Sequence, residues 1–188
     1  MKSITQQAKQ AMNTKGQKSC LVFDRLVEAL AGDPSSNLRR AIILSMIDET
    51  PGITQTKIMN TLGITKSAMN REIEWLFNYG CVRREEDKRD GRAIGLEVVG
   101  YSRRALHAAL DYFPNRHEGL HYFVNQYIIA IKQERPTLRD ARILATLYDK
   151  RKATKTELLE NLYNGPATTD NRAYKKLVED GMIEDAKQ

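Results

Sequence analysis

Between Thr54 and Gly80 the sequence starts a helix twice and stops it twice, and few folds accept that pattern over so short a stretch. Thr54 precedes Lys57, Ile58, Met59 and Leu62, and a threonine hydroxyl can accept from the free N–H groups that open a helix. Gly63 then stands where a tight turn between helices needs positive φ. Thr65 can cap a longer helix whose inner face reads Ala68, Met69, Ile73, Leu76 and Phe77, and Gly80 stops it. A short helix, a glycine turn and a capped longer helix make a helix-turn-helix. Its second helix is the one expected to lie in the major groove of DNA.

A β-hairpin follows. Cys81 to Arg84 reads as one strand and Ala93 to Val99 as the next, with Ile94, Leu96 and Val98 alternating against Gly95 and Glu97. The charged tip between them carries Lys88, Arg89, Asp90, Gly91 and Arg92. A hairpin in this place is a wing. Two helices precede the pattern, one with Leu21, Val22, Leu26, Val27 and Leu30, the other with Leu38, Ile42, Ile43, Met46 and Ile47. After the wing, Ser102 is expected to cap a helix ending near Pro114. A further helix from about Glu118 to Glu134 carries Leu120, Phe123, Val124, Tyr127, Ile128 and Ile131. That face is wide for a surface helix, so it reads as a subunit interface or a core contact, with the N-terminal stripe as its counterpart.

The tail repeats the plan in outline. "TQTKIMNTLGITKSAMNREIEWLFNYGCV" and "TKTELLENLYNGPATTDNRAYKKLVEDGMI" share a threonine start, an apolar pair, a turn, a polar helix start and Leu-x-x-x-Gly. Met182, Ile183 and Glu184 would then be a strand, and the second copy ends without room for a full wing. The expected fold is mainly α with a small β wing, a winged helix-turn-helix in tandem with its second copy truncated. The domains read as an arm and dimerisation helix over 1–36, a winged helix-turn-helix over 37–113, a dimerisation helix over 114–135 and a second winged-helix-like domain over 136–188.

The run Gly63-Ile64-Thr65-Lys66-Ser67-Ala68-Met69-Asn70-Arg71, with Leu76, Gly80 and Val82-Arg83-Arg84, resembles the recognition segment of MarR-family regulators. Asp90-Gly91-Arg92-Ala93, continued to Arg103-Arg104-Ala105-Leu106, is similar to that family's Asp-x-Arg wing and following helix. The resemblance covers about Asn37 to Phe113. It implies a transcriptional regulator whose flanking helices dimerise, and an Asp90 that braces Arg92 within the hairpin. Val98-Val99-Gly100-Tyr101-Ser102 replaces the family's Leu-Thr-x-x-Gly, and the tail from Pro136 is additional.

Thr54, Thr65, Lys66, Ser67, Asn70 and Arg71 are the candidate DNA contacts of the helix-turn-helix. Short polar side chains there reach phosphates and base edges, and Asn and Arg can bond bidentately to adenine and guanine. Arg84, Lys88, Arg89 and Arg92 are the candidates of the wing, since the negative potential of a minor groove favours Arg. Asn171, Arg172 and Lys175 are those of the tail. A net charge of +6 and a sequence pI of about 9.3 suit a polyanionic partner.

The remaining residues suggest less. Cys20 and Cys81 form no metal-ligand cluster and read as packed or inert. His117 and His121 stand four apart, but no Cys or carboxylate joins them at a ligand spacing, so no metal and no cofactor is expected. No phosphate loop, nucleophile elbow or metal-protease motif points to an enzyme. No signal peptide or membrane span is legible, which places the chain in the cytoplasm, on a bacterial nucleoid. The expected partners are double-stranded DNA, on a pseudo-palindromic operator, and a second copy of the chain. A small-molecule effector is open but no residue supports one. Two rival readings remain: a tandem winged-helix protein adapter, marked by an exposed apolar patch around Trp75, and a replication or partition protein.

Overall fold

The computed structural model describes residues 2–4, 19–86, 94–160, 162–163 and 166–185. In chain order the elements are β1 (Lys2–Ile4), α1 (Ser19–Ala29), α2 (Leu38–Glu49), β2 (Ile53–Thr54), α3 (Gln55–Leu62), α4 (Lys66–Asn78), β3 (Val82–Glu86) and β4 (Ile94–Val98). They continue as α5 (Gly100–Leu110), α6 (Arg116–Ala130), α7 (Leu138–Lys150), α8 (Lys155–Leu159), α9 (Ala167–Glu179) and β5 (Ile183–Asp185). The fold is mainly α with small sheets. Among the described residues no helix is long and apolar enough to cross a membrane. The chain divides into two compact units. The first comprises Arg25–Asp33 and Arg39–His121, and the second the described residues through Asp24, Pro34–Leu38, and those from Tyr122 onward.

In the first unit the apolar stripes foreseen from spacing are the core. Ile43, Leu44, Ile47, Ile58, Met69, Leu76, Leu106 and Leu110 are fully buried. Each large aliphatic side chain so removed from water contributes about 1.5–3 kcal/mol. The sheet has the order β2-β4-β3 and is antiparallel throughout. Val82 faces Val98 and Glu86 faces Ile94 along the hairpin, while Ile53 pairs with Leu96 on the other edge of β4. Helix α5 starts one turn earlier than Ser102 would set it. Val99 is its N-cap without a side-chain bond, and Ser102 is buried inside the first turn.

In the second unit, Phe23, Phe123 and Tyr127 form an aromatic trio with ring centroids 4.6–5.1 Å apart. Of the two readings of the wide stripe, subunit interface or core contact, the burial within one chain fits the core contact. Leu120, Phe123, Val124, Tyr127 and Ile131 are buried to within 1% in a single chain, as are Val22, Leu26 and Leu30. Edge-to-face aromatic packing hides the broad face without a second copy. The start of α1 is closed from far along the chain. The Ser19 and Cys20 N–H groups donate to the Asp149 carboxylate at 3.3 and 3.1 Å. Thr137 and Asp140 make a complete capping box on α7, and Thr154 and Glu157 make another on α8. Segment 36–38 pairs with 136–138, the Leu38 N–H donating to Pro136 O and the Leu138 N–H to Ser36 O, both at 2.9 Å.

Strand β5 does have a partner. It lies at the other end of the chain: β1 pairs with it antiparallel, Lys2 facing Asp185 and Ile4 facing Ile183. Residues 2–4, expected as part of an arm or a frayed helix, are therefore a strand.

Candidate nucleic-acid interface

Thr54 Oγ1 accepts from the Lys57 N–H at 3.3 Å and so opens α3. Helix α3 ends at Gly63 with φ 61° and ψ 31°, a left-handed conformation that costs a residue with a Cβ. Two residues on, Thr65 Oγ1 accepts from the Ala68 N–H at 3.2 Å and opens α4. Both threonines put forward as DNA contacts are thus helix caps, with their oxygens already holding backbone donors.

Helix α4 has two unlike faces. Met69, Glu72, Ile73 and Leu76 point inward and are buried. Lys66, Ser67, Asn70 and Arg71 are exposed together on the outer side of its first turns. Their spacing, i, i+1, i+4 and i+5, places them over one another along one strip. The open N–H groups of the helix start add a partial positive charge at the same end. The inner face differs from the one read in the sequence in two places. Phe77 is 45% exposed, and Glu72, which that reading did not include, is fully buried.

Glu72 is the residue that spacing could not place. It accepts from Arg40 Nε of α2 at 2.7 Å, and that guanidinium also lies 4.1 Å from the centre of the Trp75 ring. Trp75 in turn stacks on Tyr79, centroids 4.3 Å apart and nearly parallel. Trp75 itself is half-buried under Arg40, while Tyr79 is 57% exposed. The ion pair and the ring together fix the rotation of α4, and so fix which side faces outward. Gln55 adds a second tie, donating through Nε2 to Asn70 Oδ1 across the helix-turn-helix.

On the hairpin, Arg84 is exposed with its guanidinium 5.0 Å from the Phe77 ring. Its neighbour Arg83 is held by Glu97 at 2.6 Å across the β3–β4 pair. Lys88, Arg89, Asp90 and Arg92 lie outside the described residues. Asn171, Arg172 and Lys175 belong to the second unit, where all three are exposed on α9. There Asn171 Nδ2 donates to Ala167 O at 2.8 Å and Lys175 lies 3.4 Å from Glu179.

The histidines found a carboxylate that no sequence spacing suggested. Asp48, on α2, accepts from His107 Nε2 and His117 Nε2, each at 2.9 Å, and from Arg103 Nε at 3.2 Å. Burial alone would raise the Asp48 pKa, but the bonds from His117 and His107 outweigh it and hold the carboxyl below its ordinary 3.8. His121 is shifted downward, chiefly by burial. Among the described residues no group of three or more His, Cys, Asp or Glu could hold a metal ion. Burial and then Asp149 push the Cys20 thiol up to about 11, so it carries little thiolate at neutral pH. Burial raises Cys81 as well.

No curated protein matches the chain. Among solved structures, similar chains include FabT of Streptococcus pneumoniae in complex with DNA, at 18% identity and a TM-score of 0.37, over 51% of this chain and 62% of that one. MarR is 20% identical at 0.37 over 60% and 68%, and PcaV of Streptomyces coelicolor, in complex with its natural ligand, is 17% identical at 0.39 over 70% and 80%. The chain thus spans less than two thirds of the FabT chain. Residues 37–93 match the MarR family. The matched stretch contains α2, α3, α4 and β3.

Proposed function

We propose that the chain is a sequence-specific, double-stranded DNA-binding transcriptional regulator that reads the major groove with α4. One observation carries this reading. A helix locked by the Arg40–Glu72 pair turns Lys66, Ser67, Asn70 and Arg71 outward on one strip at its positive end. Arg71 and Asn70 are the base readers, while Lys66, Ser67 and Arg84 contact phosphate. Lys88, Arg89 and Arg92 extend the contact from the wing. Phosphate neutralisation supplies most of the affinity and the base contacts choose the site. Catalysis has no part in this reading, nor has a cofactor.

The finer organisation belongs to the same proposal. Residues 37–113 are the DNA-reading domain, flanked by helical segments 1–36 and 114–135, and 136–188 is a second winged-helix-like domain. Two chains sit on a pseudo-palindromic operator in the cytoplasm. A second copy meets Leu21, Tyr122 and Ile129, which are 37%, 54% and 66% exposed, since the wide stripe is already buried.

The test is binding and footprinting on fragments selected from genomic DNA. Arg71→Ala and Asn70→Ala should each weaken specific binding by about 1–3 kcal/mol and leave random DNA almost unaffected. Equal weakening on both DNAs would reduce these residues to phosphate contacts, and no weakening on either would end the assignment. A footprint without two-fold symmetry would remove the second copy.

A further inference from the structure

The two units share more than an outline. Helix α2 begins at Leu38 and α7 at Leu138, and Thr54 and Thr154 each cap the helix that follows. Helices α4 and α9 are both 13 residues long, and each carries Asn-Arg at its fifth and sixth positions, Asn70-Arg71 and Asn171-Arg172. Both stop at a glycine with φ +69°, Gly80 and Gly181. The closing bonds coincide. The Cys81 N–H donates to Leu76 O at 2.8 Å and the Met182 N–H to Leu177 O at 2.8 Å, while each glycine N–H donates three residues back at 3.0 Å. A strand follows at once in both, β3 in one and β5 in the other.

We propose that the second unit is a second double-stranded DNA reader, with α9 as its reading helix and a wing closed by the N-terminal strand β1. It rests on the reading of α4 as a DNA-reading helix. Where β3 pairs antiparallel with β4 in the first unit, β5 pairs antiparallel with β1 in the second. The chemistry of α9 selects the ligand. Asp170, Tyr174 and Leu177 face inward, and Thr168, Asn171, Arg172, Lys175 and Lys176 are exposed. Three cations on one helix, against Glu179 alone among its exposed acids, suit a phosphate backbone, and the Asn-Arg pair suits base edges. The exposed acids Glu184 and Asp185 lie on β5, which sets the contact on the helix instead of the strand.

Hydroxyl-radical footprinting of the full chain on a selected genomic fragment tests this. Two protected segments are expected. Replacing Arg172, Lys175 and Lys176 together with Ala should erase one segment and keep the other. It should also flatten the slope of log affinity against log salt by roughly one unit for each phosphate that is no longer neutralised. A chain lacking residues 1–4 should fail to protect the same segment, and one still protecting it would overturn the role of β1. Asn70→Ala with Arg71→Ala should erase the other segment, which separates failure of the α4 reading from failure of this one. A triple variant with the wild-type footprint and salt slope would overturn the second reader, as would one that protects neither segment while circular dichroism stays unchanged.

Discussion

Helix α4 opens on a hydroxyl cap, Thr65, and is anchored at mid-length by Glu72, whereas α9 opens on Pro166 with no side-chain cap and is anchored in its first turn by Asp170. In both units an arginine from the preceding long helix reaches the acid. Arg40 Nε lies 2.7 Å from Glu72, and Arg139 Nε lies 2.8 Å from Asp170, with all four side chains about nine-tenths buried or more. Asp170 therefore serves twice. It holds the roll of α9, and its charge faces the positive end of the helix, offsetting the missing cap. Two different acids at two different positions leave the same Asn-Arg pair on the outer side. What matters to the outer face is that the inner face is pinned, not which residue pins it.

The most forceful way to break that comparison is to remove one acid. Glu72→Ala takes the buried carboxylate away from Arg40 and should cost about 3–5 kcal/mol. Trp75, the one tryptophan of the chain, lies against Arg40 and reports the change by fluorescence during urea unfolding. Asp170→Ala should cost a similar amount by circular dichroism while the Trp75 transition moves less. A Glu72→Ala cost under about 1 kcal/mol would show that packing around Trp75, not the ion pair, holds α4.

A smaller change sharpens the comparison at the caps. Thr65→Ala removes one hydroxyl acceptor from α4, and Thr154→Ala dismantles the capping box of α8, in which Glu157 also accepts from the Thr154 N–H at 2.6 Å. Each should cost about 1 kcal/mol, and glycine at either position only a few tenths. Thermal unfolding of the four variants decides it. Alanine variants as stable as the wild type would mean that the hydroxyls hold nothing.

Local signals were readable in the sequence and distant pairings were not. The caps at Thr54 and Thr65 and the turn at Gly63 depend on residues within a few positions of one another, the hairpin after Gly80 pairs residues 8 to 16 apart, and all were legible. Glu72 and Arg40 are separated by 32 residues, and Asp48 is 59 residues from His107 and 69 from His117. Nothing in helical periodicity brings such partners together. The wide stripe of α6 left two readings open for a related reason. Periodicity reports that a face is apolar, but its cover, Phe23, comes from α1. The strand that pairs with β5 lies at the opposite terminus, beyond any local signal.

The subtlest separation of the two units is in acid. Asp48, in the first unit, is held below its ordinary 3.8 because the His117 and His107 bonds outweigh the effect of burial. Its folded pKa is depressed, so it contributes stability that is present above 3.8 and lost as the pH falls through the folded value. Asp140, in the second unit, is shifted the opposite way. Burial raises it above 3.8 in spite of the bonds from Thr137 and the charges of Lys176 and Arg139. An acid with a raised folded pKa binds its proton more readily when folded, so its contribution improves as the pH falls through that value toward 3.8. Below 3.8 only the Asp48 effect still changes. Stability read from Trp75 should therefore decline with acid below 3.8 more steeply in the wild type than in Asp48→Asn, whose neutral amide has no such proton to bind. The difference between the two chains cancels the other carboxylates that titrate in the same range. Parallel curves would show that Asp48 is no more stabilised as a carboxylate in the fold than in the unfolded chain.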